Sequence, residues 1–269
     1  MRIAVLGHLE WVEFLRVERV PHAGEIVQAE PSLSVPAGGG AVAAVQIARW
    51  GAETHFFTAL GNDPLGRRSH AELTARSVKV HSVFRDEPQR RAVTMVDAQR
   101  ERTIVVIGPR LAARGEDRLA WDEFARCDAV YVTAGDAAAV RRARAARVQV
   151  ATSRVLPLLR DAAIPIDVLV GSENDVEERY APGDLPIAPR AVVRTNGAHG
   201  GYFIGEDGVR RPYEAVPAEV TGDTYGAGDT FAAGLAFALG EGRSIADAVD
   251  FAAVRAAEVV AFEGPYPKH

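Results

Sequence analysis

Lysine is almost missing from this chain: of its 31 basic residues only Lys79 and Lys268 are lysines. That scarcity excludes recognition by clusters of flexible point charges and leaves arginine, whose planar fork suits bidentate contact with phosphate. Cysteine is scarcer still. Cys127 stands alone, so no intrachain disulfide can form. Its setting, Arg126-Cys127-Asp128-Ala129-Val130-Tyr131-Val132, offers no activating partner and marks a small buried residue at the entry to a strand. No apolar run is long enough to span a bilayer. The chain opens directly on an apolar strand, without a charged leader or cleavage site, so the expectation is a cytoplasmic protein with no membrane partner. A net charge of −5 and a pI near 5.8 give no basis for a nucleic-acid partner. Two nucleotide signatures are also absent. No Gly-x-Gly-x-x-Gly follows an early strand, which disfavours a dinucleotide-dependent oxidoreductase, and no Gly-x-x-x-x-Gly-Lys-Ser/Thr occurs, which disfavours a P-loop ATPase.

What is present is an ordinary globular balance, 48% hydrophobic and 25% charged over 269 residues, enough for one large α/β domain or two small ones. Short apolar runs over 3–6, 53–59, 129–133, 148–151, 168–170 and 191–195 alternate with helical stretches such as 41–50, closed by Gly51, and 64–77. Such alternation implies a parallel sheet with helices on both faces. Ser244-Ile245-Ala246-Asp247 has the form of a capping box and opens a helix to about residue 262. Two regions break the rhythm. Residues 11–17 with 25–35, and 91–96 with 103–107, form hairpins without crossover helices. They make either a small β-sheet projecting as a lid or edge strands of the main sheet.

The densest chemical signal is Asp223-Thr224-Tyr225-Gly226-Ala227-Gly228-Asp229-Thr230-Phe231, immediately before an Ala-rich helical run over 230–239. Free amides at a helix N-terminus, joined by those of a Gly-x-Gly turn, make a pocket for an anion. Asp229 places a proton acceptor beside it, and phosphoryl transfer to a hydroxyl needs both. A plain aspartate cap after a glycine turn fits the same residues.

Across nearly its whole length the chain resembles the ribokinase-like (PfkB) carbohydrate kinases. The likeness rests on Gly7, Pro21-His22-Ala23-Gly24-Glu25, Gly38-Gly39-Gly40-Ala41, Gly61-Asn62-Asp63-Pro64-Leu65-Gly66, Arg100-Glu101-Arg102-Thr103, Thr195-Asn196-Gly197-Ala198-His199-Gly200 and the block from Asp223 to Phe231, all in family order. The resemblance implies a three-layer α/β/α sandwich with a mostly parallel central sheet. It implies one kinase domain over 1–269, with lid segments at about 10–36 and 85–107. It further implies an ATP- and Mg²⁺-dependent kinase acting on a hydroxyl of a sugar, nucleoside or polyol. A catalytically weak relative that senses a sugar or nucleotide is the alternative.

The same resemblance assigns roles. Asp229 matches the general base, and a helix N-terminus should favour its ionised form. The amides of Gly226, Ala227 and Gly228 match the anion hole. Ser172, Thr195, Gly197, Gly200 and Ala253 fall at the nucleotide site. Glu10, Trp11, Glu13, Gly38, Gly39, Gly40 and Asp136 fall at the acceptor site, where Trp11 is either a stacking plane or lid packing and Asp136 either a hydroxyl acceptor or a helix cap. Asp175, acting through water, is the magnesium candidate, and Asp223 the candidate for a monovalent cation such as K⁺. An apolar lid face suggests a homodimer.

Departures from the family pattern concentrate on the acceptor side. Val12 and Val42 stand where an Asp and an Asn grip sugar hydroxyls, and the lid threonine is replaced within Gln89-Arg90-Arg91. The Asn-x-x-Glu element aligns with Ser172-Glu173-Asn174-Asp175. No arginine could be assigned to a second phosphate, so an unphosphorylated acceptor is expected.

Overall fold

Short apolar runs bounded by glycine and polar turns become the inner strands of one sheet. The structure, a computed structural model, describes residues 1–219 and 221–267. In chain order its elements are β1 (Arg2–Leu6), β2 (Glu10–Arg16), β3 (Glu30–Ala37), α1 (Gly39–Arg49), β4 (Glu53–Gly61), α2 (Pro64–Ala75), β5 (Val78–Arg85), β6 (Arg91–Val96), β7 (Arg102–Ile107) and β8 (Ala129–Val132). There follow α3 (Ala137–Ala143), β9 (Val148–Thr152), α4 (Leu156–Ala162), β10 (Val168–Ser172), β11 (Ala191–Thr195), β12 (Gly201–Ile204), β13 (Arg210–Tyr213), α5 (Ala227–Gly240) and α6 (Ile245–Val259).

The main sheet runs β13-β12-β11-β10-β9-β8-β1-β4-β5. Every pairing from β11 through to β5 is parallel, and only the β12 and β13 edge is antiparallel. Parallel strands need both faces covered. One face packs on α1, α5 and α6 through Ile3, Val5, Phe56, Phe231 and Leu235, and the other on α3 and α4 through Leu6, Phe57, Val140 and Leu159. Cys127 is buried, and that burial pushes its thiol up to about 12, as a structural cysteine requires.

The two expected hairpins form a separate sheet, β3-β2-β6-β7, with β2 parallel to β6 in its middle. Val12, Phe14, Val35, Ala92 and Val96 pack one face of it onto Val42 and Tyr225. Phe14 and Tyr225 meet edge to face at 4.9 Å. Strand β3 starts at Glu30, later than expected, because Glu25 closes a local turn with His22 and Arg19 instead.

Helix caps follow the sequence. Asp63 accepts from the Gly66 amide ahead of Pro64, and Ser244 accepts from the Asp247 amide. Helix α6, expected to reach about residue 262, ends at Val259. The carbonyls of Val260 and Phe262 are diverted to the amides of Gly222 (2.9 Å) and Asp223 (3.3 Å), so the helix end unwinds to hold the turn before α5.

Candidate active site

From β1 the sheet grows toward β4 on one side and β8 on the other, which makes their carboxyl ends a topological switch point. Gly7 follows β1, Thr133 follows β8, and the glycine block opens α1 there. Backbones meet closely. A Cβ on Gly7 would lie 2.6 Å from Thr133 Cγ2 and 2.8 Å from Gly40 Cα; one on Gly40 would lie 2.7 Å from the His8 carbonyl oxygen. This approach sets Gly39 against the start of α5. A Cβ on Gly39 would come within 2.6 Å of Asp229 Oδ1 and 3.2 Å of Thr133 Oγ1. Gly38 takes φ 82°, which favours glycine, and its amide donates to Tyr225 Oη at 3.2 Å.

Gly226 caps α5 at φ 79° and ψ 2°. Its carbonyl accepts from the Thr230 amide, and the Ala227 amide makes a long 3.4 Å bond to Thr224. Among the described residues, the amides of Gly226 and Gly228 have no backbone acceptor. A Cβ on Gly228 would meet nothing within 4 Å, so the space beside that amide is open. Unsatisfied amides at the positive end of a 14-residue helix form a cradle for negative charge. The small sheet is tied to this turn: Arg100 donates to the Gly222 carbonyl at 2.8 Å and Arg102 to that of Thr224. Asp223 is a clamp within it. Its buried carboxylate accepts from the amides of Tyr225 and Gly264, both at 2.8 Å.

The expected bias of Asp229 toward its ionised form meets a stronger opposing effect. Burial, and then the negative field of Glu178, push its carboxyl up to about 6; Glu10 adds to this while Arg102 and Arg154 oppose it. Asp229 is therefore ionised at neutral pH with an affinity for protons suited to a base.

On the acceptor side, Glu10 is buried and its Oε1 accepts from Arg90 Nε at 2.6 Å, with His8 Nε2 at 3.8 Å. Strand alternation turns Trp11 and Glu13 to the opposite face of β2 from Glu10 and Val12. Trp11 is buried beneath the Arg68 guanidinium, 4.6 Å from the ring, so it packs the sheet onto α2 and is not a stacking plane beside Asp229. Val12 and Val42 are fully buried in one apolar contact with Tyr225. Asp136 is a helix cap: its Oδ1 accepts from the amides of Ala139 (2.7 Å) and Gly115 (2.9 Å). Gln89 also proves structural, bridging the Gly61 amide and the Leu9 carbonyl.

On the other side, Ser172 and Thr195 lie opposite each other at the ends of β10 and β11. Gly197 takes φ 54° in an exposed turn. Gly200, at φ 74°, is pressed against β13, where a Cβ would lie 2.2 Å from the Tyr213 carbonyl oxygen. Ala253 is half-buried on α6. Asp175, Glu177 and Glu178 converge on Arg154, which bonds Glu177 and Glu178 at 3.0 Å and Asp175 more tightly. No single described cluster of His, Cys, Asp or Glu supplies three ligands for a metal.

His8, Arg154 and Thr133 lie beside these residues and were missed by motif reading, whereas Arg90 falls in the Gln89-Arg90-Arg91 segment where the lid threonine is replaced. Thr133 alone carried a signal, as the first residue past a buried strand at the switch point.

Comparison with known proteins gives one consistent picture. The profile of the pfkB family carbohydrate kinases matches residues 2–175 and 166–268. A ribokinase from Arabidopsis thaliana is 24% identical over 301 aligned positions, spanning 98% of this chain and 77% of that one. The structure of Arabidopsis thaliana ribokinase complexed with ribose and ATP superposes with a TM-score of 0.76 at 22% identity, over 99% of this chain and 95% of the other. A microbiome-derived acarbose kinase superposes at 0.81 with 20% identity, over 99% and 94%.

Proposed function

This chain belongs to the pfkB family of carbohydrate kinases, phosphotransferases with an alcohol group as acceptor, and on that premise we propose that it moves the γ-phosphoryl group of ATP to a hydroxyl of a small polyhydroxylated acceptor. One observation carries the proposal. Asp229 faces Gly39 with no side chain between them, and the open amides of Gly226 and Gly228 begin the same helix. An acceptor hydroxyl lying on the glycine block can give its proton to Asp229. Its oxygen then attacks a phosphoryl group whose growing charge faces those amides, and ADP leaves.

The whole chain, 1–269, works as one kinase domain in this reading, with the small sheet as its lid. Ser172, Thr195, Gly197 and Ala253 border the nucleotide, and Gly200 shapes the turn that holds it. Magnesium fits as a companion of the nucleotide: Asp175 and Glu178 are already shared with Arg154, so a hard cation is held here through water and phosphate oxygens. When bound it neutralises phosphate charge. A monovalent cation at Asp223 fits less well, since both carboxylate oxygens already serve backbone amides.

The lid also offers a dimer surface. Strand β7 is a sheet edge, and Ile104, Val105, Val106 and Ile107 on it are all exposed. Pairing two lids in a homodimer would cover them.

The test is ADP release over sugars, polyols and nucleosides with the Asp229→Asn protein as blank. Release that depends on acceptor and on Asp229 supports the kinase. Nucleotide binding without turnover on any acceptor would leave only the sensor.

A further inference from the structure

The segment after β7 lines a cavity of about 280 Å³ with the segment after β8. Arg85, Glu87, Arg110 and Arg114 stand in its wall together with Gly135 and Asp136, two and three residues beyond Thr133. Most charges in this neighbourhood are committed. Arg85 pairs with Asp117 at 2.7 Å, Arg90 with Glu10 at 2.6 Å, and Arg154 with Glu177 and Glu178. Asp136 Oδ1 is spent on two amides. Arg110, like Arg114 and Glu87, makes no ion pair or side-chain hydrogen bond with any described residue. Its side chain reaches solvent; partial desolvation, and then the nearby positive charge of Arg90, lower its proton affinity, while Glu10 and Glu177 only partly compensate. A guanidinium so placed is open to an anion that enters the cavity from solvent.

A second observation points to the same occupant. His8 is buried, its Nδ1 has no hydrogen-bond partner, and its Nε2 lies beyond bonding distance from Glu10 at 3.8 Å. A buried polar atom without a protein partner can be satisfied by a ligand or by an ordered water. Burial, then Arg110, Arg90 and Arg154, push the His8 imidazole down to about 3, so it is neutral and one ring nitrogen can accept from a hydroxyl.

We infer that the acceptor carries an anionic group, a carboxylate or a phosphate, which Arg110 receives while His8 binds a hydroxyl and Asp229 faces the reacting one. Arginine supplies a bidentate fork for either oxyanion. The inference rests on the kinase reading of the Asp229 site; its carboxylate form agrees with the expectation of an unphosphorylated acceptor, and its phosphate form replaces it.

The experiment compares matched probes: glucose, gluconate and glucose 6-phosphate, and ribose, ribonate and ribose 5-phosphate. Binding is measured by calorimetry without nucleotide, and turnover by ADP release. The expected result is preference for the anionic members, with Arg110→Gln raising their Kd and KM by about 10- to 100-fold, the scale of a hydrogen bond to a charged group. Affinity for ATP and for the neutral parents stays unchanged. Comparing the carboxylate and phosphate arms identifies which oxyanion is taken. Preference for the neutral sugars with an inert Arg110→Gln overturns the inference and leaves the kinase standing. Loss of ATP affinity alone in Arg110→Gln also overturns it, since the guanidinium would then serve the phosphoryl donor. Anion binding that depends on Arg110 without any ADP release upholds the anion site and rejects the kinase.

Discussion

Gly39 and Asp229 occupy one shared space: a Cβ at position 39 would lie 2.6 Å from Asp229 Oδ1 and 3.4 Å from Cγ. The glycine is needed for what lies opposite, since its φ is not among the positive values of the chain. Gly39→Ala should therefore fold and displace the carboxylate. Displacement of a reacting group by about 1 Å costs on the order of 100-fold in rate. Steady-state kinetics and a melting curve check this; full kcat with an unchanged Tm would separate Gly39 from the reacting atoms.

Asp229→Asn should keep nucleotide affinity and lose about 10²- to 10⁴-fold in kcat, the scale of general-base loss. In the wild type a base pushed up to about 6 predicts that kcat/KM falls with pH below about 6. The stability effect has its own sign. A carboxyl raised on folding makes ionisation unfavourable to the fold above the unfolded value of about 3.9, fully so above 6. Asp229→Asn should thus melt higher than the wild type at pH 7, and the gain should vanish near pH 4. A pH-rate limb near 4, or an equal Tm at pH 7, contradicts the buried base.

His8 has the opposite linkage. Its folded value of about 3 lies below the unfolded 6.5, so the unfolded chain takes the proton first. Its contribution is whole above pH 6.5 and is lost as pH falls toward 3. Chemical denaturation of wild type and His8→Gln between pH 7.5 and 4.5 should show the wild type losing more stability; parallel curves would show a solvated imidazole.

If two lids pair along β7, charging the edge should separate them. Val105→Lys with Ile107→Lys should convert a sedimenting dimer to monomer while leaving the melting temperature close to wild type. Wild type sedimenting as monomer at high concentration rejects the pairing.

Much of the fold was legible because its signals are local. Asp63 before Pro64, Ser244 before Asp247, and buried runs such as 191–195 each specify their element within a few residues. Residues 226–229 were legible for the same reason, as the turn, the amides and the carboxylate are contiguous. Trp11 was ambiguous because period-two alternation had to be combined with the position of α2, more than fifty residues away. The contacts of Arg90 and Arg154 were out of reach. Their meeting with Glu10, His8 and Glu178 joins segments far apart in the chain, which no spacing rule encodes. The raised proton affinity of Asp229 was out of reach on similar grounds: the dipole of α5 is a local feature, while the burial and negative field that outweigh it come from other elements.

The bonds from Arg100 and Arg102 to the carbonyls of Gly222 and Thr224 place the hairpin and the phosphate turn on one mechanical linkage. An outward swing of the hairpin would drag on the backbone whose amides are proposed to grip the donor. Release of product and slackening of that grip would then be a single movement, and a fresh acceptor drawing the hairpin inward would retension the turn before transfer begins.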